Sequence, residues 1–144
     1  MNNNLGYTFL EMLVVLSLLS AMVLVTNVTF HQAAYKKETE HFFEQLETDI
    51  RYAQMRAMIG GFRTDILFEP DQNSYRIRQR TTVIKRAELP DHLQMVRGTF
   101  YNEPMSFLAN GGVARIGRLV FADEEHEYTL TVLLGKGRFY IEKT

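Results

Sequence analysis

The sequence predicts an α+β fold: one long N-terminal spine helix, hydrophobic in its first half and amphipathic in its second, packed on a C-terminal antiparallel β-sheet. Three observations predict it. Charge is segregated: of the 33 Asp, Glu, Lys and Arg side chains in the 144-residue chain, only Glu11 precedes His31. No Pro or Gly interrupts residues 7–59, so a single helix can run through them. After Gly60-Gly61 the apolar residues recur with period two, punctuated by Pro, Asn and Gly.

Several classes are excluded by the same counts. A plain soluble domain does not carry a 24-residue apolar run, and a polytopic membrane protein needs more than one. A net charge of −1 argues against a protein dominated by nucleic-acid electrostatics, although a local basic patch remains compatible with it. With no cysteine there is no disulfide framework, no thiol nucleophile and no thiolate metal site.

Residues 7–30 read YTFLEMLVVLSLLSAMVLVTNVTF. A helix of that length is about 36 Å long, enough to cross a hydrocarbon core. Its length and its early carboxylate argue against a cleaved secretory signal, as does the lack of a small-x-small site after it. Glu11 is the informative residue. An ionised carboxylate within a bilayer costs about 2.5–3.5 kcal/mol on insertion scales, so it calls for a partner. The head itself offers no opposite charge except a chain N-terminus.

From His31 the apolar pattern narrows to a stripe. Ala34, Phe42, Leu46, Ile50, Ala53 and Ala57 recur at helical spacing, with Phe43 and Met58 alongside. Gly60-Gly61 supplies the stop. Strands are then expected at residues 62–69, 74–79, 80–86, 93–96, 105–108, 117–122, 128–134 and 138–142. Residues 70–73, 123–127 and 135–137 form turns between them.

The head carries a resemblance. Gly6-Tyr7-Thr8-Phe9-Leu10-Glu11, opening an unbroken apolar run, is similar to the class III signal of type IV pilins and pseudopilins. The chain after residue 107 resembles the minor pseudopilins of the GspH and FimT kind. Phe107-Leu108-Ala109-Asn110-Gly111, Gly117 and Leu134-Gly135-Lys136-Gly137-Arg138 carry that match, and Gram-positive competence members fit best. The resemblance implies prepilin peptidase cleavage between Gly6 and Tyr7, N-methylation of Tyr7 and an assembly role for Glu11. The carboxylate of Glu11 would pair with the new terminal amine of a neighbouring subunit. It further implies residues 1–6 as leader, 7–30 as membrane and filament-core helix, 31–59 as its amphipathic continuation and 60–144 as the sheet body. The implied role is a minor pilin of a competence type IV pilus, acting in pilus assembly or initiation and in DNA uptake. Such a chain sits in the cell membrane by a single pass and, after processing, in the pilus at the cell surface. Its implied partners are other major and minor pilins, the peptidase, the membrane and double-stranded DNA. A pseudopilin of a type II secretion system is the alternative.

The residues themselves offer one binding candidate. Arg76, Arg78 and Arg80 are expected on one strand face, with Lys85 and Arg86 just beyond, a spacing that could track a phosphate backbone. The same pattern is also that of the wet face of a half-buried strand. Lys136, Arg138 and Lys143 form a weaker basic group. His31, His41, His92 and His126 have no metal-ligand spacing, and the acidic run from Asp123 to Glu127 reads as a solvated hairpin tip. No enzyme, metal or cofactor is expected.

Overall fold

The structure is a computed structural model. It describes residues 8–135 and 137–144, with side chains described outside residues 23–33. The chain falls into two compact units, a head (Met1–Lys37) and a body (Glu38–Thr144). Helix α1 (Phe9–Gly60) contributes to both. It stops where glycine allows: Gly61 follows with φ 67°, the left-handed geometry that closes a helix and disfavours residues with a Cβ.

Within the body, α1 buries the stripe its spacing foretells from Phe42 onward; Ala34, placed on the same stripe, is exposed. Phe42, Leu46, Ile50, Ala53 and Ala57 are all in the core. Eight strands follow: β1 (Thr64–Glu69), β2 (Ser74–Gln79), β3 (Thr82–Glu88), β4 (Gln94–Gly98), β5 (Met105–Phe107), β6 (Gly117–Ala122), β7 (Glu127–Val132) and β8 (Phe139–Lys143). A one-turn helix, α2 (Thr99–Asn102), lies between β4 and β5. The strands make two antiparallel sheets, ordered β3-β2-β1-β5 and β4-β6-β7-β8, rather than one. The chain crosses between them because β4 pairs with β6, Met95 opposite Phe121, while β5 returns to β1, Met105 opposite Ile66.

One hydrophobic core serves both sheets and the helix. Its centre is aromatic. Phe42 of α1 packs edge-on to Tyr75 of the first sheet and Phe121 of the second, with centroids 6.2 and 6.0 Å away. Phe68 and Phe121 meet across the sheets at 6.3 Å. Such pairs contribute about 0.5–1.5 kcal/mol each beyond the area they bury. Close approach also fixes Gly98, whose φ is 140°; a Cβ there would run into the Arg118 carbonyl of β6.

A charge lies inside this core. Asp49 is 3% exposed, on the same helix face as Leu46. Its carboxylate accepts a hydrogen bond from the Tyr75 hydroxyl at 2.7 Å and another from the Lys85 ammonium at 2.7 Å. Burial, and then the Asp49 carboxylate beside it, push the Tyr75 hydroxyl far above its usual pKa, so it stays a donor. The arrangement ties α1 to β2 and β3 with directional bonds.

Leu46→Ala is expected to destabilise the full-length protein by about 2–5 kcal/mol through the cavity it leaves. Tyr75→Phe, which leaves the buried Asp49 one donor short, should cost about 1–3 kcal/mol. Denaturant unfolding of the detergent-solubilised chain, followed by circular dichroism, reads both.

Candidate functional site

The head begins with a capped turn. Thr8 precedes α1, and its hydroxyl accepts the Glu11 backbone N–H at 3.3 Å, while its carbonyl accepts the N–H of Met12. Thr8-Phe9-Leu10-Glu11 is thus the sequence of a capping box, with the Glu11 carboxylate in the first turn, where the helix dipole favours negative charge. The side chain of Glu11 is exposed and makes no ion pair among the described residues.

From Met12 to Met22 the helix is apolar on every side apart from two serines. Phe9 is 82% exposed and Leu10 71%, and the consecutive Leu13, Val14, Val15 and Leu16, which together go round the helix, are all about half exposed. Even the serines offer nothing outward: Ser17 donates to the carbonyl of Val14 and Ser20 to that of Leu16, both at 2.8 Å. Among the described residues no helix is long and apolar enough to cross a membrane. The expected span of residues 7–30 extends beyond the residues whose side chains are described. Gly6 and Tyr7 lie outside the described residues.

The basic candidates are not brought together as one face. Arg76 and Arg78 do share the outer face of the first sheet, and Arg86, opposite Arg76, joins them. Arg80 does not. It occupies the tight turn between β2 and β3 at φ 57° and lies over the Phe62 ring at 3.7 Å. Lys85 is on the opposite face, because it pairs with the buried Ile77, and it points to Asp49. Lys85 and Arg86 are neighbours on one strand, so they face opposite ways and cannot share a face.

The outer face is instead an ionic ladder. Arg76 meets Glu69 at 3.1 Å and Arg86 meets it at 3.4 Å, while Arg86 also bonds Gln72. Arg63 and Arg78 meet Asp65 at 2.8 and 3.4 Å, and the Ser106 hydroxyl donates to Asp65 at 2.6 Å. Burial pushes the Asp65 carboxyl upward, but Ser106, Arg63 and Arg78 outweigh it and hold its pKa below the usual value. Asp65 and Glu69 escaped the sequence reading. Their signal is the alternation Asp65-x-x-x-Glu69 facing Arg76-x-Arg78 across a hairpin.

The acidic run from Asp123 is a hairpin tip between β6 and β7. Asp123 turns inward, accepting the N–H groups of Glu125 and His126 at 2.8 and 2.7 Å and the Tyr128 hydroxyl at 3.2 Å. Burial raises its carboxyl, but these donors prevail and hold its pKa low. Burial and the nearby Asp123 charge push Tyr128 up to about 12. His92 sits against α1, its Nε2 2.8 Å from the Thr39 hydroxyl. His41 is exposed, and the His31 side chain and all of Lys136 lie outside the described residues. Arg138 is exposed, and the Lys143 ammonium stands 5.9 Å from the Tyr128 ring. Among the described residues, no group of three or more His, Asp or Glu side chains is placed to hold a metal ion.

A long helix whose second part packs on antiparallel sheets, and whose first part is apolar with an early carboxylate, is the plan of a pilin subunit. Solved structures carry the same fold. The type IV minor pilin FimU of Pseudomonas aeruginosa matches with a TM-score of 0.61 at 15% identity, over 74% of this chain and 90% of its own. The minor pseudopilin EpsH from the type 2 secretion system of Vibrio cholerae matches with a TM-score of 0.58 at 15% identity, over 73% and 96%. No family model matches the chain. In sequence, competence protein ComGD of Bacillus subtilis (strain 168) is 30% identical over 153 aligned residues, covering 99% of this chain and 96% of the relative. The chain belongs to the type IV pilin-like family that includes ComGD.

Asp65, with its lowered folded pKa, stabilises the body above the unfolded value near 3.8, and that contribution disappears as pH falls through the folded value. Asp123 acts with the same sign. Asp65→Asn should therefore flatten the loss of stability below pH of about 4, and adding Asp123→Asn should flatten it further. Thermal unfolding at a series of acidic pH values measures the slope; an unchanged slope in the double variant would contradict the ladder.

Proposed function

We propose that this chain is a minor pilin of a competence type IV pilus, working in pilus assembly or initiation and so in DNA uptake. The observation that carries the reading is the head: an all-round apolar helix, capped by Thr8, with Glu11 exposed and without an ion pair among the described residues. Near-full-length similarity to a protein named for competence supports that setting over secretion, since the likeness to EpsH reaches only the fold. In this reading the leader is removed after Gly6 by a prepilin peptidase and Tyr7 is methylated. The helix holds the chain in the cell membrane by a single pass until assembly. The charge logic is direct: cleavage creates an amine four residues before Glu11, and a neighbour's amine neutralises a carboxylate that the filament core would otherwise tolerate poorly.

Two variants test it in cells with an active prepilin peptidase. Gly6→Val should leave the leader attached, read as an intact mass larger by residues 1–6. Glu11→Ala should be processed normally yet lost from sheared pilus fractions. Wild-type protein that keeps Met1 would sink the reading.

A second reading, direct contact with DNA through Arg76, Arg78 and Arg86, has one observation behind it. Four guanidinium groups share two carboxylates on that face, which leaves it with an excess of positive charge. If the face holds DNA, Arg76→Ala with Arg78→Ala should weaken binding by the full-length protein to duplex DNA. The salt slope should fall by about two. An unchanged slope assigns the arginines to the sheet alone.

A further inference from the structure

The two sheets present four edge strands: β3 and β5 bound the first, β4 and β8 the second. An open edge is a template for another strand, and folds blunt it with bulges, short strands or covering chain. Three of the four are blunted. On β3 an extra residue, Ile84, stands between Val83, opposite Arg78, and Lys85, opposite Ile77. On β4 the extra residue is Val96, between Met95 and Arg97. Strand β5 is three residues long, and the chain that follows takes its far edge: Val113 bridges Phe107, and the Ala114 N–H reaches the Ser106 carbonyl at 2.9 Å.

Strand β8 has none of these guards. It pairs with β7 without a break, from Phe139 opposite Val132 to Lys143 opposite Tyr128, and contains no Pro, Gly or bulge. The ends of the ladder show which groups are spent. The Leu133 N–H bonds the Arg138 carbonyl at 2.9 Å, and the Thr144 N–H bonds the Glu127 carbonyl at 2.8 Å. Bonded pairs alternate in an antiparallel ladder, so Tyr140 and Glu142 also face β7, and Phe139, Ile141 and Lys143 turn their N–H and C=O groups outward. No other backbone group takes these up among the described residues. Lysine is a common edge guard, but the Lys143 ammonium is turned back to 5.9 Å from the Tyr128 ring of β7. The flanking side chains also leave the edge unfinished. Phe139 and Ile141 pack against the core yet stay half-buried, while Tyr140 and Glu142, on the other face, are exposed.

We propose that the β8 edge binds an extended segment of a different protein, which adds antiparallel to the second sheet as a further strand. The free groups of Phe139, Ile141 and Lys143 supply the backbone hydrogen bonds. The alternation of β8 sets the chemistry of the segment. Its residues opposite Phe139 and Ile141 continue the face that packs on the core, so they are apolar. Its residue opposite Glu142 lies on the solvent face and is basic. A slip of one residue would turn the apolar set to water, which fixes the register. A second copy of β8 fits less well: paired about Ile141, it sets Tyr140, and no cation, against Glu142. The site involves neither the apolar head nor the arginine face of the first sheet, and it stands whether or not the pilin reading does.

The probe is a short fluorescent peptide, capped at both ends, that alternates valine with lysine and threonine. Full-length protein in detergent is titrated into it, and fluorescence anisotropy should show saturable binding. The same peptide N-methylated on its valines lacks the donors that would face β8, and it should not bind. Ile141→Pro removes an outward N–H and no bond to β7, and should weaken binding about tenfold. Glu142→Lys, which sets like charges opposite each other, should weaken it about threefold. The N-methylated arm leaves the protein untouched, so misfolding of the Ile141→Pro chain does not blunt the test. No saturable binding, equal binding of the N-methylated peptide, or binding indifferent to both substitutions would each overturn the site. Protein that self-associates without peptide, and ceases to as Ile141→Pro, would give the edge to a second copy and overturn the assignment of the partner.

Discussion

The structure depends on one constraint: a single helix is given two different surroundings. In the body, α1 needs a partner only along a stripe, and the two sheets supply it through Phe42, Leu46, Ile50, Ala53 and Ala57. In the head, residues 12–22 are apolar on all sides but for two serines, and they are exposed. Water is an unfavourable solvent for such a surface at roughly 25 cal/mol per Å². The head therefore requires other apolar material, whether lipid or like helices. The body must fold without help from it, and its core, drawn entirely from Phe42 onward, does so.

Folding the body around a helix brings a problem of register. An apolar stripe slides easily along an apolar sheet, since hydrophobic contact has no direction. Asp49 supplies the direction. A buried carboxylate with two donors at 2.7 Å fits one position of α1 against β2 and β3 and no other. Its desolvation is costly unless both donors are in place, which penalises every displaced packing. The outer face of the same sheet repeats the principle in water. Asp65 and Glu69 on β1 each take two arginines, and exposed guanidinium groups there contribute less than the buried pair, because solvent screens them.

Much of this was legible in the sequence and part was not, for physical reasons. Long periodic segments read well. The helical stripe, the glycine stop and most strands follow from spacing alone, because side-chain direction on a regular element is fixed by its period. The strand edges drifted by a residue or two. Pairing was invisible: nothing local tells β5 to return to β1 while β4 seeks β6, so two sheets read as one. The arginine face failed for a sharper reason. Arg80 leaves the strand at a tight turn, and Lys85 and Arg86, as neighbours on one strand, face opposite ways, which turns Lys85 inward. At the head the reverse occurred. Thr8 and Glu11 spell a capping box in four letters, yet beside the pilin-like signal the second meaning of the same letters went unread.

Those two meanings of Thr8 and Glu11 are compatible, and their overlap explains how the head tolerates a carboxylate at all. An acid in the middle of an apolar helix has only its own charge to answer for, and bilayer cost excludes it. In the first turn it sits among unpaired backbone N–H groups, where the helix carries about half a positive charge. Thr8 takes the N–H of Glu11, fixing the turn and leaving the carboxylate free to point outward. The helix end thus lowers the cost of Glu11 without satisfying it. Full satisfaction would make the head self-sufficient, and no satisfaction would expel it from apolar surroundings. A partly stabilised, outward-facing acid still gains from meeting a cation, which is what the proposed assembly role would require of Glu11.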